Sequence, residues 1–190
     1  NAALIQLERR SDVLQATETY TKLLGLLADA LTESDFLYRD LYVSMTRNKA
    51  LGLQMLGKYK LAIETNLGLV EKYPRYPRKG RLIQAVGTAY LELGDVTSAR
   101  RYLEDAVRLH ESEGDDLSKS VTFSALAKVA QIERRWDEVD PLLKSAVDLA
   151  TTDRIRVLAA LKHQIHRMQQ EPDHIEENIA AFDAEDPVVR

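Results

Sequence analysis

The chain has 190 residues, enough to bury a sizeable core, and 45% of them are apolar and 29% charged. With no cysteine, disulfide staples and thiolate metal sites are excluded, and a reducing compartment is compatible. Its 26 basic and 30 acidic residues leave a formal charge of −4, so direct nucleic-acid binding by this domain is not expected.

Apolar residues recur three and four apart almost throughout and nowhere alternate strictly, which predicts helices and no strands. In chain order the helices fall over 2–9, 12–31, 36–56, 59–72, 79–93, 96–112, 117–134, 137–150, 154–170 and 173–183. Ser11–Asp12 and Ser34–Asp35 stand before apolar-periodic runs, as N-caps do. Gly57 and Gly94 fall where a helix ends in a left-handed residue. The prolines of "YPRYPRKG" (73–80) interrupt the next helix, Asp115–Asp116 cap the run from Leu117, and Glu171–Pro172 close a later one. No run reaches the roughly 18 apolar residues of a membrane span, and no signal peptide is visible, so a cytoplasmic location without membrane contact is expected. The first residue is not Met, which makes a fragment or processed chain the expectation and leaves room for an N-terminal domain.

Three segments repeat. Ala50, Gly57 and Ala62 recur as Gly87, Gly94 and Ala99, and again as Ala127, Arg134 and Val139. Small residue to turn is always seven positions, and turn to the next small or branched residue always five. In Ala50, Gly87 and Ala127, Tyr90, the turn glycines Gly57 and Gly94, Ala62 and Ala99, and Pro74, the chain resembles the tetratricopeptide repeat (TPR) family, of the degenerate type found in bacterial regulators. The resemblance covers roughly 43–150, with repeat spacings of 37 and 40 residues against the family's 34. Asn66 stands where a bulky apolar residue is expected, and Arg134 replaces a turn glycine. It implies an all-α fold, a right-handed superhelix of antiparallel helix hairpins, as one domain over 1–190. Within it, 1–42 form N-terminal helices or a partial repeat. The repeats span 43–78, 79–116 and 117–151, and 152–190 form the C-terminal cap. Stacked hairpins complete one another's cores, so Leu at Gly87 or Ala99 should overpack.

No phosphate-binding glycine loop, nucleophile elbow or HExxH occurs, so no enzymatic activity and no cofactor is expected. His163 and His166, three apart, could share a metal, yet both lie off the apolar stripe of Leu158, Leu161, Ile165 and Met168. A polar helix face is the expectation, and no metal site. Glu111, Glu113, Asp115 and Asp116 are expected to be a capping cluster, and Trp136 to pack in the core or hairpin.

In the resembling family the first helix of each hairpin lines an inner, concave groove. Carried over, this gives Ser44, Arg47, Leu51 and Gln54, with Asn48 beside them. It then gives Arg81, Gln84, Thr88 and Leu91, followed by Val121, Ser124, Lys128 and Gln131. Among these thirteen positions three are basic and none acidic, which suits an extended or acidic peptide; equally, thirteen positions are few enough for chance to leave out acids. The carboxylate clamp of chaperone-binding members is incomplete, since Ala85 and Ala125 occupy two of its places. Two functions follow. One is a sensing domain of a bacterial transcription regulator with a peptide or protein ligand in the groove. The other is an adaptor that assembles a complex or a homodimer through apolar residues such as Leu14, Leu24, Leu27 and Leu31.

Overall fold

The computed structural model describes residues 2–30, 36–150, 157, 160–163, 165 and 166. Among them all regular structure is helical: α1 (Ala2–Ala30), α2 (Phe36–Met55), α3 (Tyr59–Lys72), α4 (Lys79–Leu93), α5 (Val96–Glu113), α6 (Asp116–Ile132) and α7 (Trp136–Asp148). The expected cap at Ser34–Asp35, the closure at Glu171–Pro172 and the helix over 173–183 lie outside the described residues, as does most of 154–170. The chain divides into two compact units, Asn1–Tyr102 and Leu103–Arg190.

In the first unit the expected break at Ser11–Asp12 does not occur, and α1 runs through it. Both residues are exposed, and in a helix interior Ser or Asp is only up to about 0.7 kcal/mol less favourable than Ala, too little to stop a helix that no Gly or Pro interrupts. Helix α1 packs along α2 at close range: a Cβ on Gly52 would overlap Thr17 Oγ1, whose hydroxyl donates to Val13 O at 2.7 Å. Helices α2, α3 and α4 then pack in sequence, each on the next. Ile63, Val86 and Ala89 form one core cluster, flanked by Leu67, Tyr90 and Tyr102; the last two rings stack with centroids 5.3 Å apart. Val43, Leu69 and Leu82 form another, flanked by Tyr42, Val70, Tyr73 and Tyr76. Asn66 is buried, and its amide donates to Ala62 O at 2.9 Å, which explains how a polar residue is tolerated at an apolar position.

In the second unit α6 and α7 pack through Ala127, Ala130, Val139 and Leu143. A buried hydrogen bond from Ser120 Oγ to Ala146 O, 2.6 Å, ties the two helices together. Asp115 caps α6, accepting from Ser118 N at 3.1 Å and Ser118 Oγ at 2.9 Å, as its position before Leu117 led one to expect.

The turns share one geometry. After α2, α4, α5 and α6 the chain enters left-handed φ at Gly57 (76°), Gly94 (89°), Gly114 (66°) and Arg134 (60°). Each time the following amide reaches back to a carbonyl five residues earlier: Lys58 to Leu53, Asp95 to Tyr90, Asp115 to His110, Arg135 to Ala130. This is the Schellman closure, and glycine fits it because it has no Cβ. Arg134 adopts the same conformation at the steric cost of its Cβ. Arg134→Gly is therefore expected to stabilise the protein by about 1 kcal/mol, raising the melting temperature by roughly 2–4 °C. A lower midpoint in calorimetry would mean that the Arg134 side chain outweighs its backbone.

Candidate functional site

Helix α2 presents one continuous face of hydrogen-bonding and apolar groups. Ser44 is exposed, Arg47, Asn48 and Gln54 are half-buried, and Leu51 is 54% exposed. The spacing of three and four residues aligns them because successive turns superpose such positions. On α4, Arg81, Gln84 and Thr88 are half-buried. Leu91 is not part of that face: it is 7% exposed and belongs to the core. Burying a leucine is favourable by about 1.5–3 kcal/mol, and the last turn of α4, closed by Gly94 N–H on Leu91 O, keeps this side chain inward. In the second unit Val121 and Lys128 are exposed and Ser124 and Gln131 half-buried along α6.

Within the first unit the face is indented. A cleft of about 210 Å³ is lined by Val43, Ser44, Arg47 and Asn48 from α2, Tyr76 and Arg78 from the 73–78 loop, and Arg81 and Leu82 from α4. Two successive turns shape that loop, through Tyr76 N to Tyr73 O (3.0 Å) and Lys79 N to Tyr76 O (3.2 Å). Tyr73 and Tyr76 anchor it on the Val43–Leu69–Leu82 cluster, and Tyr73 meets Tyr42 edge-on with centroids 6.1 Å apart. Lys72 Nζ lies 4.7 Å above the Tyr42 ring. Asn48 Nδ2 donates to Tyr20 OH of α1 at 3.2 Å, which orients the amide. Counting from the small residue of each first helix finds Ser44, Arg47, Asn48 and Arg81 but passes over Tyr76 and Arg78, which lie in a loop. The signal for these two is the doubled Tyr-Pro-Arg at 73–78, an aromatic and a cation on a proline-stiffened backbone.

His110, Glu113 and Asp115 bring three ligand-type atoms within 4.8 Å of one another, with His110 Nδ1 3.8 Å from Glu113 Oε2. Asp115 spends both oxygens on Ser118, and Glu111 pairs with Lys119 at 2.9 Å, so these carboxylates hold the α5–α6 turn together. His163 sits 2.6 Å from Asp140. His166 departs from the polar-face expectation: it is buried and stacks on Trp136 with centroids 6.4 Å apart. Trp136 is likewise not in the core but half-exposed, covering His166 with one ring face; a stripe read along a single helix does not see a partner supplied by another. Of the four leucines expected to form an outer patch, Leu14 is exposed, Leu24 half-buried and Leu27 buried, while Leu31 lies outside the described residues. Leu23 and Leu26 are exposed on α1 instead.

Burial lowers the pKa of His166 below its usual 6.5; the charge of Asp140 opposes this and that of His163 adds to it. The unfolded chain then takes up the proton first. This contribution to stability is complete above pH 6.5 and is lost as pH falls through the folded-state value. His166→Phe, which keeps the stack on Trp136, should flatten the melting temperature between pH 7 and 5 relative to wild type. Parallel curves for the two proteins would show that His166 titrates as it does in water.

Solved structures with the same fold include a kinesin light chain with nearly identical TPR-like repeats from Podosopora anserina, at 17% identity and a TM-score of 0.67 over 95% of this chain and 92% of that one. A single-substitution variant of that protein gives 15% and 0.68 over 95% and 90%. PlcR of Bacillus thuringiensis, solved in complex with the peptide PapR7 and DNA, gives 12% and 0.67 over 94% of this chain and 68% of that one. No family model matches the chain, and no curated protein does. At these identities the likeness establishes the fold: the chain is an all-α, TPR-like helical repeat protein. No helix among the described residues is long and apolar enough to cross a membrane.

Proposed function

We propose that the chain is a non-catalytic, peptide- or protein-binding module, serving as the sensing domain of a cytoplasmic bacterial transcription regulator. The observation that carries this reading is the face of α2. There an exposed Leu51 sits among Ser44, Arg47, Asn48 and Gln54, and no acid lies among them. Such a face offers an extended peptide an apolar contact, amide groups that pair with its backbone, and a forked donor for its carboxylates. Gln84 and Thr88 continue the same chemistry on α4, and Ser124, Lys128 and Gln131 offer it on α6. That PlcR was solved with a peptide supports the same class of ligand for this fold. Acidic and neutral peptide pools, titrated at two salt concentrations, test the reading. Saturable binding to acidic peptides, weakened by salt and at least about tenfold weaker in Arg47→Glu, is expected. Lys128→Glu tests the second unit separately. Absence of binding to both pools would overturn the reading.

A structural adaptor or homodimer is the second reading, favoured by Leu14, Leu23 and Leu26, exposed on α1 by 45%, 38% and 64%. Light scattering decides it: a dimer that Leu26→Glu converts to monomer would support assembly through α1.

A further inference from the structure

The cleft between α2 and the start of α4 has a chemistry narrower than the face around it. Three guanidinium groups, those of Arg47, Arg78 and Arg81, line about 210 Å³ together, and no carboxylate lines it, in a chain whose net charge is −4. Arg47 and Arg78 form no ion pair with any described carboxylate. Those two cations, brought to one cleft, repel each other unless an anion joins them. The first turn of α4 adds to the imbalance. Arg78 is its N-cap and forms no side-chain cap bond, no acid follows in that turn, and Lys79 and Arg81 place positive charge at the positive end of the helix dipole. Ser44, Tyr76 and the second N–H of Asn48 supply further donors around the same space.

We propose that this cleft binds the dianionic head of a phosphate monoester. A carboxylate brings one charge and is satisfied by one forked guanidinium. A phosphate monoester brings a charge of about −1.5 to −2 and three acceptor oxygens, which matches several arginines and neutral donors. At about 30 Å³ per water the cleft has room for roughly seven waters, sufficient for a phosphoryl group and the start of its ester arm. Tyr76 and the two prolines fix the backbone that carries Arg78, so that on binding its exposed side chain has to be ordered but its loop does not. That the phosphate arrives on a peptide rests on the peptide-binding reading above; a small phosphorylated ligand would present the same head.

The test uses isotope-labelled protein titrated at constant ionic strength with inorganic phosphate, with a serine-phosphorylated peptide pool, and with its unphosphorylated twin. Saturable amide shifts at Ser44, Arg47, Asn48 and the first turn of α4 are expected with both phosphate-bearing probes. They should weaken at least tenfold in Arg47→Gln/Arg78→Gln. If the double variant does not fold, the exposed Arg78→Gln alone should still show a loss of several-fold. Phosphopeptide binding tighter than inorganic phosphate would assign the phosphate to a peptide, and equal affinities would assign it to a small ligand; either outcome upholds the site. Shifts that do not saturate, or that persist undiminished in the variants, would overturn it. So would equal binding of the phosphorylated and unphosphorylated pools, which would leave peptide binding itself standing. Inorganic phosphate saturating while neither pool binds would instead remove the peptide reading and keep the phosphate site.

Discussion

Leu82→Ala is expected to destabilise the protein by about 3 kcal/mol, within the 2–5 kcal/mol typical of a buried leucine cut to alanine. Leu82 is 1% exposed and lies where three elements meet. Val43 of α2 and Leu69 of α3 complete its cluster, and Tyr73 and Tyr76 of the loop pack against the same group. Removing its branched end leaves a void that Val43, itself short and stiff at χ1, cannot enter. The two tyrosines are the neighbours able to move, and they carry the loop that bears Arg78. The same substitution should therefore loosen the cleft, whose wall includes Leu82. Urea unfolding followed by circular dichroism checks the first effect, as a fall in midpoint at unchanged slope. Leu82→Met, which nearly conserves volume, should cost less than about 1.5 kcal/mol. If Met proved as damaging as Ala, shape rather than cavity would govern the site.

The turns from the end of α2 to the start of α7 were legible because they are written in local chemistry. Prolines at 74 and 77 forbid a continuous helix, Gly57 and Gly94 supply left-handed ends, and Asp115 supplies a cap. Asp95 is a cap of the same kind, accepting from Ser98 N at 3.0 Å; hydrogen bonds from the Ser98 backbone and side chain hold its carboxyl below the usual range. Ser11–Asp12 misled because those residue types permit a cap without requiring one, and nothing nearby obliges the chain to turn. The candidate site was legible only where it follows helical periodicity. Arg47, Asn48 and Arg81 lie at positions that a repeat register can index, whereas Arg78 reaches the cleft from a loop whose path is set by tyrosines packing on α2, α3 and α4. Leu91 shows the reverse limit: register assigns it to the open face, but an apolar side chain at the end of α4 gains more by turning into the core. The Trp136–His166 stack depends on two elements thirty positions apart, and one helix's pattern holds no information about the other's.

Ala99→Leu is expected to lower stability by about 1–3 kcal/mol, from excess volume rather than a void. Ala99 is 0% exposed, five residues after the left-handed Gly94, as Ala62 is five after Gly57, and both are fully enclosed. The Schellman closure at Gly94 and the cap at Asp95 fix how α5 leaves the turn, so the helix cannot withdraw to admit three more carbons without breaking Asp95 N to Tyr90 O or Ser98 N to Asp95 Oδ1. Below it, the stacked rings of Tyr90 and Tyr102 would have to separate for α5 to tilt. Thr97→Leu, at an exposed position in the same turn, controls for the general effect of leucine and should stay within about 0.5 kcal/mol. Thermal unfolding of both variants against wild type decides the matter. A large loss at 99 with none at 97 follows if small residues are needed where the helices of a hairpin approach. Equal, small effects at both would mean that the space around Ala99 yields, and that the repeat's small residues reflect helix propensity rather than packing.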